Sequence, residues 1–407
     1  MKRVIAKCWR SSVWAPVLFA AVPALVAPYG GNAAAPERAP APDTTERTSS
    51  ATTFYEPGAP GPFDVGVMTL EVDVRTRREP VDTLVWYPAT TSPGASPYVY
   101  NPQGGTPMVG EAVLEAPMAD GGPFPAVVFS HGYGAINYQS IFLTEHLASH
   151  GYVVIAPNHP GNNLTDLKPG ALWTGFILRP LDIHGMIDEL ERLDASDPRF
   201  QGRIDLEKIG MTGHSFGGYT TLAIAGARLN LDYLTERCVS GRDQQACVVV
   251  GEAGRVLGKW NGLIDLSDPR VTAAVPLAPL AWSPFQEEGL SYIDVPIQVH
   301  GGDRDHVVPA ETDAAMVWLY AQEPKSFLEM YDAGHFTYSD ICMMAPRFVQ
   351  CRPPFIDMDL AHEIINTYVT SHFKVFLDFD MRYAGYLMAP YAEQWSDYAA
   401  WYEALDL

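Results

Sequence analysis

The stretch Gly213-His214-Ser215-Phe216-Gly217 leaves few options for the chain around it. It follows the apolar run Ile209-Gly210-Met211-Thr212 and precedes Tyr219 to Ala227, whose pattern predicts a helix. A serine on a sharp strand-to-helix turn stands exposed at the end of a sheet, poised to act as a nucleophile. Such a turn strains the serine backbone and leaves no room for Cβ atoms two residues to either side. Gly213 and Gly217 relieve that clash.

The neighbouring segments alternate as this turn requires. Ala126-Val127-Val128-Phe129 is a continuous apolar strand that ends at Ser130-His131-Gly132-Tyr133-Gly134. A helix is predicted over Ser140 to Ser149, a strand over Tyr152 to Ala156, and a second helix over Leu181 to Leu193. Beyond the serine, strands are predicted at Val271 to Leu277, Pro296 to His300 and Ser326 to Tyr331, and helices at Glu311 to Ala321 and Leu360 to Phe376. Apolar strands alternating with amphipathic helices imply a mostly parallel sheet covered on both faces. Residues 65–74 and 83–87 alternate instead and read as an antiparallel N-terminal pair. The fold class expected is therefore α/β, of the α/β-hydrolase kind.

Three regions divide the 407 residues. Residues 1–35 carry Lys2, Arg3, Lys7 and Arg10, then an apolar run from Val13 to Ala27, then small residues through Ala35, the pattern of an export signal peptide. Pro16 and Pro23 interrupt the run, which is short for a membrane span, so no stable membrane insertion is expected once the signal is removed. Residues 36–60, rich in Pro, Ala, Thr and Ser, read as a disordered linker. Residues 61–407 form a single domain with an excursion at about 228–268, either a lid or a surface loop. The last thirty residues are aromatic-rich and acidic without a clear period.

A formal net charge of −21 argues against nucleic acid as a partner, because phosphates would be repelled. Cys8 leaves with the signal, and Cys238, Cys247, Cys342 and Cys351 remain as an even set. In a secreted or periplasmic protein these are expected to pair locally, Cys238 with Cys247 and Cys342 with Cys351. Neither pair has the C-x-x-C spacing of a zinc site.

An acyl-transfer site needs a nucleophile, a base within reach, a carboxylate to orient the base, and N–H donors for the oxyanion. Ser215, Asp305 and His335 come in the chain order Ser, acid, His, each after an expected strand. Asp303 on the same loop, and Asp265 or Asp268 earlier, compete with Asp305 for the role of acid. The backbone N–H groups of Phe216 and Tyr133 are the expected oxyanion donors. His131 and His214 read as packing or hydrogen-bonding residues and His159 as a solvent-facing loop residue. His300, Asp303, Asp305 and His306 crowd one stretch, but four ligands so close rarely converge, and no metal or cofactor is expected.

Ser130-His131-Gly132-Tyr133-Gly134, the run Gly151 to Gly161, Arg179-Pro180-Leu181-Asp182, Gly213 to Tyr219 and Gly334-His335-Phe336 together resemble bacterial members of the platelet-activating-factor acetylhydrolase and dienelactone-hydrolase-like group. The resemblance covers about residues 63–375 and implies a serine esterase with Tyr133 and Phe216 at the oxyanion positions. Dienelactone hydrolases proper carry cysteine where this chain has Ser215. Eukaryotic acetylhydrolases place the acid one strand earlier, where this chain reads Leu277-Ala278-Pro279-Leu280. Asp305 instead is similar to the acid of bacterial polyester hydrolases and cutinases.

The function expected is a secreted serine hydrolase that cleaves a small-molecule or lipid-like ester through an acyl-enzyme on Ser215. Tyr133, Phe216, Trp282 and Phe336 suggest an apolar or aromatic pocket. The same triad would serve an amidase or peptidase, and a hydrolase scaffold can also serve as a non-catalytic binding protein.

Overall fold

The computed structural model describes residues 54–101 and 106–405. The signal peptide expected at 1–35, and the linker up to residue 53, lie outside the described residues. The alternating N-terminal segments form a hairpin, β1 (Asp64–Val72) against β2 (Val81–Ala89), with Asp64 opposite Ala89 and Val72 opposite Val81. β3 (Val113–Leu114) adds to the outer edge of β1.

The apolar runs become β4 (Phe124–Ser130), β5 (Val153–Pro157), β6 (Ile204–His214), β7 (Val271–Leu277), β8 (Ile297–Gly302) and β9 (Lys325–Met330), all paired in parallel. β10 (Ala399–Ala404) closes the far edge antiparallel to β9. The resulting 10-stranded sheet runs β10-β9-β8-β7-β6-β4-β5-β2-β1-β3. β4, β5 and β8 are buried along their whole length; β4 and β5 accordingly read as near-continuous apolar runs, while β8 also buries Gln298 and His300.

Period-two alternation divides their side chains between two cores. Val127, Phe129, Val154 and Ala156 pack with α1 (Ile141–Ser149) and α8 (Met358–Phe376). Ala126, Val128, Val153 and Ile155 face the other way and pack with α2 (Ala171–Ser196). On that second side α3 (Phe216–Ile224) leads directly from the serine turn, and α6 (Trp282–Leu290) and α7 (Ala314–Tyr320) cover the later strands.

α2 begins ten residues before the helix expected from the sequence, because Pro180 lies inside it. Proline has no N–H, so the carbonyl four residues earlier, that of Phe176, loses its helical donor. The Tyr219 hydroxyl supplies the missing bond, donating to Phe176 O at 2.7 Å. One side chain from the helix behind the nucleophile thus makes the internal proline tolerable.

The excursion at 228–268 is a helical pair, α4 (Leu231–Val239) and α5 (Gln244–Leu257), joined by the Cys238–Cys247 disulfide. Asn230 and Asp243 cap the two N-termini with their side-chain oxygens. Leu231, Leu234, Ala246, Val249 and Ala253 join the same core as Phe216 and Tyr219. Residues 55–60, expected as the end of the linker, are docked instead. His146 and His150 donate to the carbonyls of Pro57 and Ala59 at 2.8 Å each, and Gly61 N donates to Ser149 Oγ. The aromatic C-terminal stretch also packs, with Trp401 stacked on Tyr368 at 4.6 Å and its indole N–H donated to Glu403. No helix of the described residues is long and apolar enough to cross a membrane.

Candidate active site

Ser215 sits between β6 and α3 at φ 59° and ψ −114°, a backbone conformation rare for any residue but glycine. Its neighbours hold it there. Ser215 N donates to Leu277 O at the end of β7, and its carbonyl accepts from Tyr219 N and Leu280 N. The flanking glycines are required by close approach: a Cβ on Gly217 would lie 1.8 Å from Ser130 O, and one on Gly213 would lie 2.6 Å from the same atom.

Asp305 follows β8, and its two carboxylate oxygens have separate partners. Oδ1 accepts the N–H groups of Val307 and Val308 at 2.8 Å each, a turn that fixes the side chain. Oδ2 lies 2.6 Å from His335 Nδ1. His335 follows β9 in a tight turn, held by Gly334 N donating to Thr337 Oγ1 and Phe336 N donating to Gln350 Oε1. The second disulfide, Cys342–Cys351, closes the segment that carries Gln350. His335 Nε2 lies 2.8 Å from Ser215 Oγ. An acceptor-only carboxylate on Nδ1 puts the imidazole proton there and leaves Nε2 free to accept from the serine hydroxyl. Both Asp305 and His335 are almost completely buried, so these bonds form in a medium of low dielectric.

The other candidate acids are engaged elsewhere. Asp303 is exposed, and burial of part of its carboxyl together with the nearby Asp332 charge pushes its pKa up rather than down. Asp265 accepts from Ser267, and Asp268 is clasped by Arg270. His300 is buried with Nε2 on Gln298 Oε1, while His306 is exposed, so the two do not converge with Asp305.

His131 and His214 are buried and hydrogen-bonded within the site's walls. His214 Nε2–H donates to the carbonyl of His335 at 2.8 Å, and Gln139 Nε2–H donates to His214 Nδ1 at 3.0 Å. Burial holds His214 far below the usual histidine range, with the neighbouring His335 adding to the effect. His159 corrects its solvent-facing expectation: it is fully buried, with Nδ1 on Asp182 Oδ2 at 2.8 Å and Nε2 accepting from Ser130 Oγ at 2.9 Å. Asp182 is itself gripped by both Arg77 Nε and Nη2 at 2.6 Å. Gln139 and Arg77 carried no functional signal in the sequence, and Asp182 entered only as part of the quoted Arg179 to Asp182 run. The contacts that give them a role, Gln139 with His214, Arg77 with Asp182 and Asp182 with His159, span 75, 105 and 23 positions.

Phe216 is the first residue of α3, where leading amides have no acceptor within the helix. Its ring, however, belongs to the core, between Phe176 and the Arg179 guanidinium. Tyr133, Trp282 and Phe336 are half-buried. Trp282 is placed by Asp313 Oδ1, which accepts both Ala281 N and Trp282 N, and it stacks with Tyr320 along an open groove of about 680 Å³ that also includes Tyr233 and Gln286. A second cavity of about 550 Å³ is bordered by Arg77, Lys168 and Arg179, and neither it nor the Trp282 groove includes Ser215, Asp305 or His335 in its lining.

The chlorophyllase family model matches residues 105–239, a span that runs from ahead of β4 through the serine turn to the end of α4. Curated relatives are similar over a longer stretch. Cutinase 2 of Thermobifida cellulosilytica is 25% identical over 266 residues, covering 65% of this chain and 72% of that protein. Cutinase cut1 of Thermobifida fusca is also 25% identical, over 65% of this chain but only 60% of its own length. Bis(hydroxyethyl) terephthalate hydrolase of Streptomyces coelicolor is 24% identical over 316 residues, 73% of this chain and 80% of that protein. These likenesses support esterases of the α/β-hydrolase fold rather than the acetylhydrolase and dienelactone-hydrolase-like group specifically. By its fold and these relatives, the chain is an α/β-hydrolase and a serine carboxylic ester hydrolase.

Proposed function

We propose that the chain is an exported esterase in which Ser215, His335 and Asp305 form the catalytic triad and the Tyr133 and Phe216 amides form the oxyanion hole. One observation carries the reading: a buried chain of hydrogen bonds from Ser215 Oγ to His335 Nε2 at 2.8 Å and from His335 Nδ1 to Asp305 Oδ2 at 2.6 Å.

Ser215 Oγ attacks the ester carbonyl while His335 Nε2 takes its proton. Asp305 holds the tautomer and offsets the imidazolium that results. The carbonyl oxygen becomes an oxyanion between the Tyr133 and Phe216 N–H groups. His335 then gives its proton to the leaving alkoxide, which departs as an alcohol and leaves an acyl-serine. Water, deprotonated by His335, attacks that ester and releases the acid. No metal or cofactor enters these steps.

The substrate class proposed is carboxylic esters with apolar or aromatic parts. Support comes from the half-buried Tyr133 and Phe336, neighbours of Gly132 and His335, and from relatives named for cutin and for a terephthalate ester. Two disulfides in the domain suit the export that residues 1–35 suggest. The test is a hydrolysis screen of the purified protein over short- and long-chain p-nitrophenyl esters, bis(hydroxyethyl) terephthalate and matched anilides. Esters are expected to turn over and the anilides to lag far behind. Equal rates on anilides would replace the esterase reading with an amidase.

A further inference from the structure

Gly132 is gripped from both sides. Its N–H donates to Gln139 Oε1 at 2.7 Å, and its carbonyl lies 2.7 Å from His131 Nδ1. The neighbours settle where the His131 proton is. The backbone N–H of His159 donates to His131 Nε2 at 3.1 Å, so Nε2 is the acceptor and the ring proton sits on Nδ1, aimed at Gly132 O. Burial, with the Arg179 charge beside it, keeps the ring neutral. Arg179 Nη2 donates to the carbonyl of His131 at 2.5 Å and also stands 3.1 Å from His131 Nδ1 and 3.4 Å from Gly132 O. As a donor only, it cannot accept the Nδ1 proton, which leaves Gly132 O as that proton's acceptor.

The consequence falls on the peptide group that joins Gly132 to Tyr133. A planar trans peptide points its C=O and N–H in opposite directions. Fixing the Gly132 carbonyl on the His131 ring therefore turns the Tyr133 N–H to the other side. That loop lies against the nucleophile, since a Cβ on Gly132 would come within 3.6 Å of Ser215 Cβ.

We propose that His131 and Gln139 are positioning residues that orient the Tyr133 N–H toward the oxyanion, a role that rests on reading Tyr133 as an oxyanion donor. Gln139 also ties this loop to the base. Its Nε2–H donates to His214, whose Nε2–H holds the carbonyl of His335. His131 in turn is backed by His159, which is braced by Asp182 and Arg77. One hydrogen-bonded chain thus sets the oxyanion donor and the base relative to each other. Its members come from six separate stretches of sequence, at Arg77, 131–139, His159, Asp182, His214 and His335.

A side chain that merely packs would be replaceable by one of similar volume, whereas a positioning donor is not. The test compares His131→Leu with His131→Asn, whose amide nitrogen superposes on Nδ1 and can still donate to Gly132 O. Three quantities are read: kcat, KM and the affinity for a trifluoromethyl ketone, which forms a tetrahedral oxyanion on the nucleophile. In His131→Leu, kcat and ketone affinity are expected to fall together by about 10²-fold, with KM changed by less than about threefold. His131→Asn is expected to recover to within about tenfold of the wild type. A folded leucine variant with wild-type kcat, or equal losses in both variants, would overturn the proposal. If the leucine variant does not fold, Gln139→Met removes the grip from the other side, and an unchanged kcat there overturns it equally. Ser215→Ala separates this from the underlying reading: if it still hydrolyses esters the triad itself is wrong, whereas an inert Ser215→Ala beside a fully active His131→Leu removes the positioning role alone.

Discussion

His335 Nε2 and Ser215 Oγ lie 2.8 Å apart although 120 positions separate the two residues in the chain. β7, β8 and β9, with their connecting helices, fill that interval, and the parallel register of β6 through β9 is what brings the two loops to one edge of the sheet. The contact depends on backbone geometry at one end and on a carboxylate at the other, and each is open to test.

The carboxylate is Asp305. Asp305→Asn keeps the acceptor for Val307 N and Val308 N but can present an N–H where His335 Nδ1–H must donate, which favours the wrong tautomer. A fall in kcat of about 10⁴-fold is expected, with little change in melting temperature. Asp303→Asn, on the exposed part of the same loop, is expected to keep kcat within about tenfold. Steady-state kinetics of the two variants on one p-nitrophenyl ester decides between them. Loss in the second variant alone would reassign the acid.

The backbone geometry is guarded by Gly217. A methyl group there would meet Ser130 O at 1.8 Å and Ser130 C at 2.6 Å, both main-chain atoms that no rotamer change can move. Gly217→Ala is expected to cost about 3 kcal/mol or more of stability, together with most of the activity. Thermal melts measure the first, and an unshifted transition would contradict the packing described.

Ser215, Asp305 and His335 stood out in the sequence because each sits in a short signature after a strand-like segment, in the chain order Ser, acid, His. The strands expected from the sequence were recovered to within a few residues, apart from β6, which runs back to Ile204; β3 and β10 were left unassigned. Less legible was anything decided across distance. α2 was cut short at Pro180 because the compensating donor, Tyr219, lies 43 positions away. His159 was placed in solvent because Asp182 and Arg77, which make its burial tolerable, leave no periodic trace. The docked residues 55–60 resemble a linker in composition, and the bonds that tie them to the domain come from far along the chain: His146 and His150 on the Pro57 and Ala59 carbonyls, Tyr383 on the Tyr55 carbonyl and Tyr386 on the Glu56 carboxylate.

Asp340 gives the fold a dependence on pH. It is buried beside α1, with Oδ2 accepting Phe142 N, and burial pushes its pKa from 3.8 up to about 7. The folded state therefore holds a proton that the unfolded chain releases, and stability falls as pH rises from about 4 to about 7. Asp340→Asn abolishes the titration while keeping the acceptor. Relative to wild type it is expected to gain on the order of 2 kcal/mol between pH 5 and pH 8, measured by urea unfolding at each pH. Parallel stability curves for the two proteins would show that Asp340 is not the group responsible.

The most direct measurement on the central proposal is the site of covalent capture by a fluorophosphonate probe. Wild-type protein is to be labelled, digested and mapped by mass spectrometry, beside Ser215→Ala treated in the same way. The expected result is one adduct, on Ser215, in the wild type and none in the variant. An adduct on another residue, or equal labelling of Ser215→Ala, would contradict a triad built on Ser215.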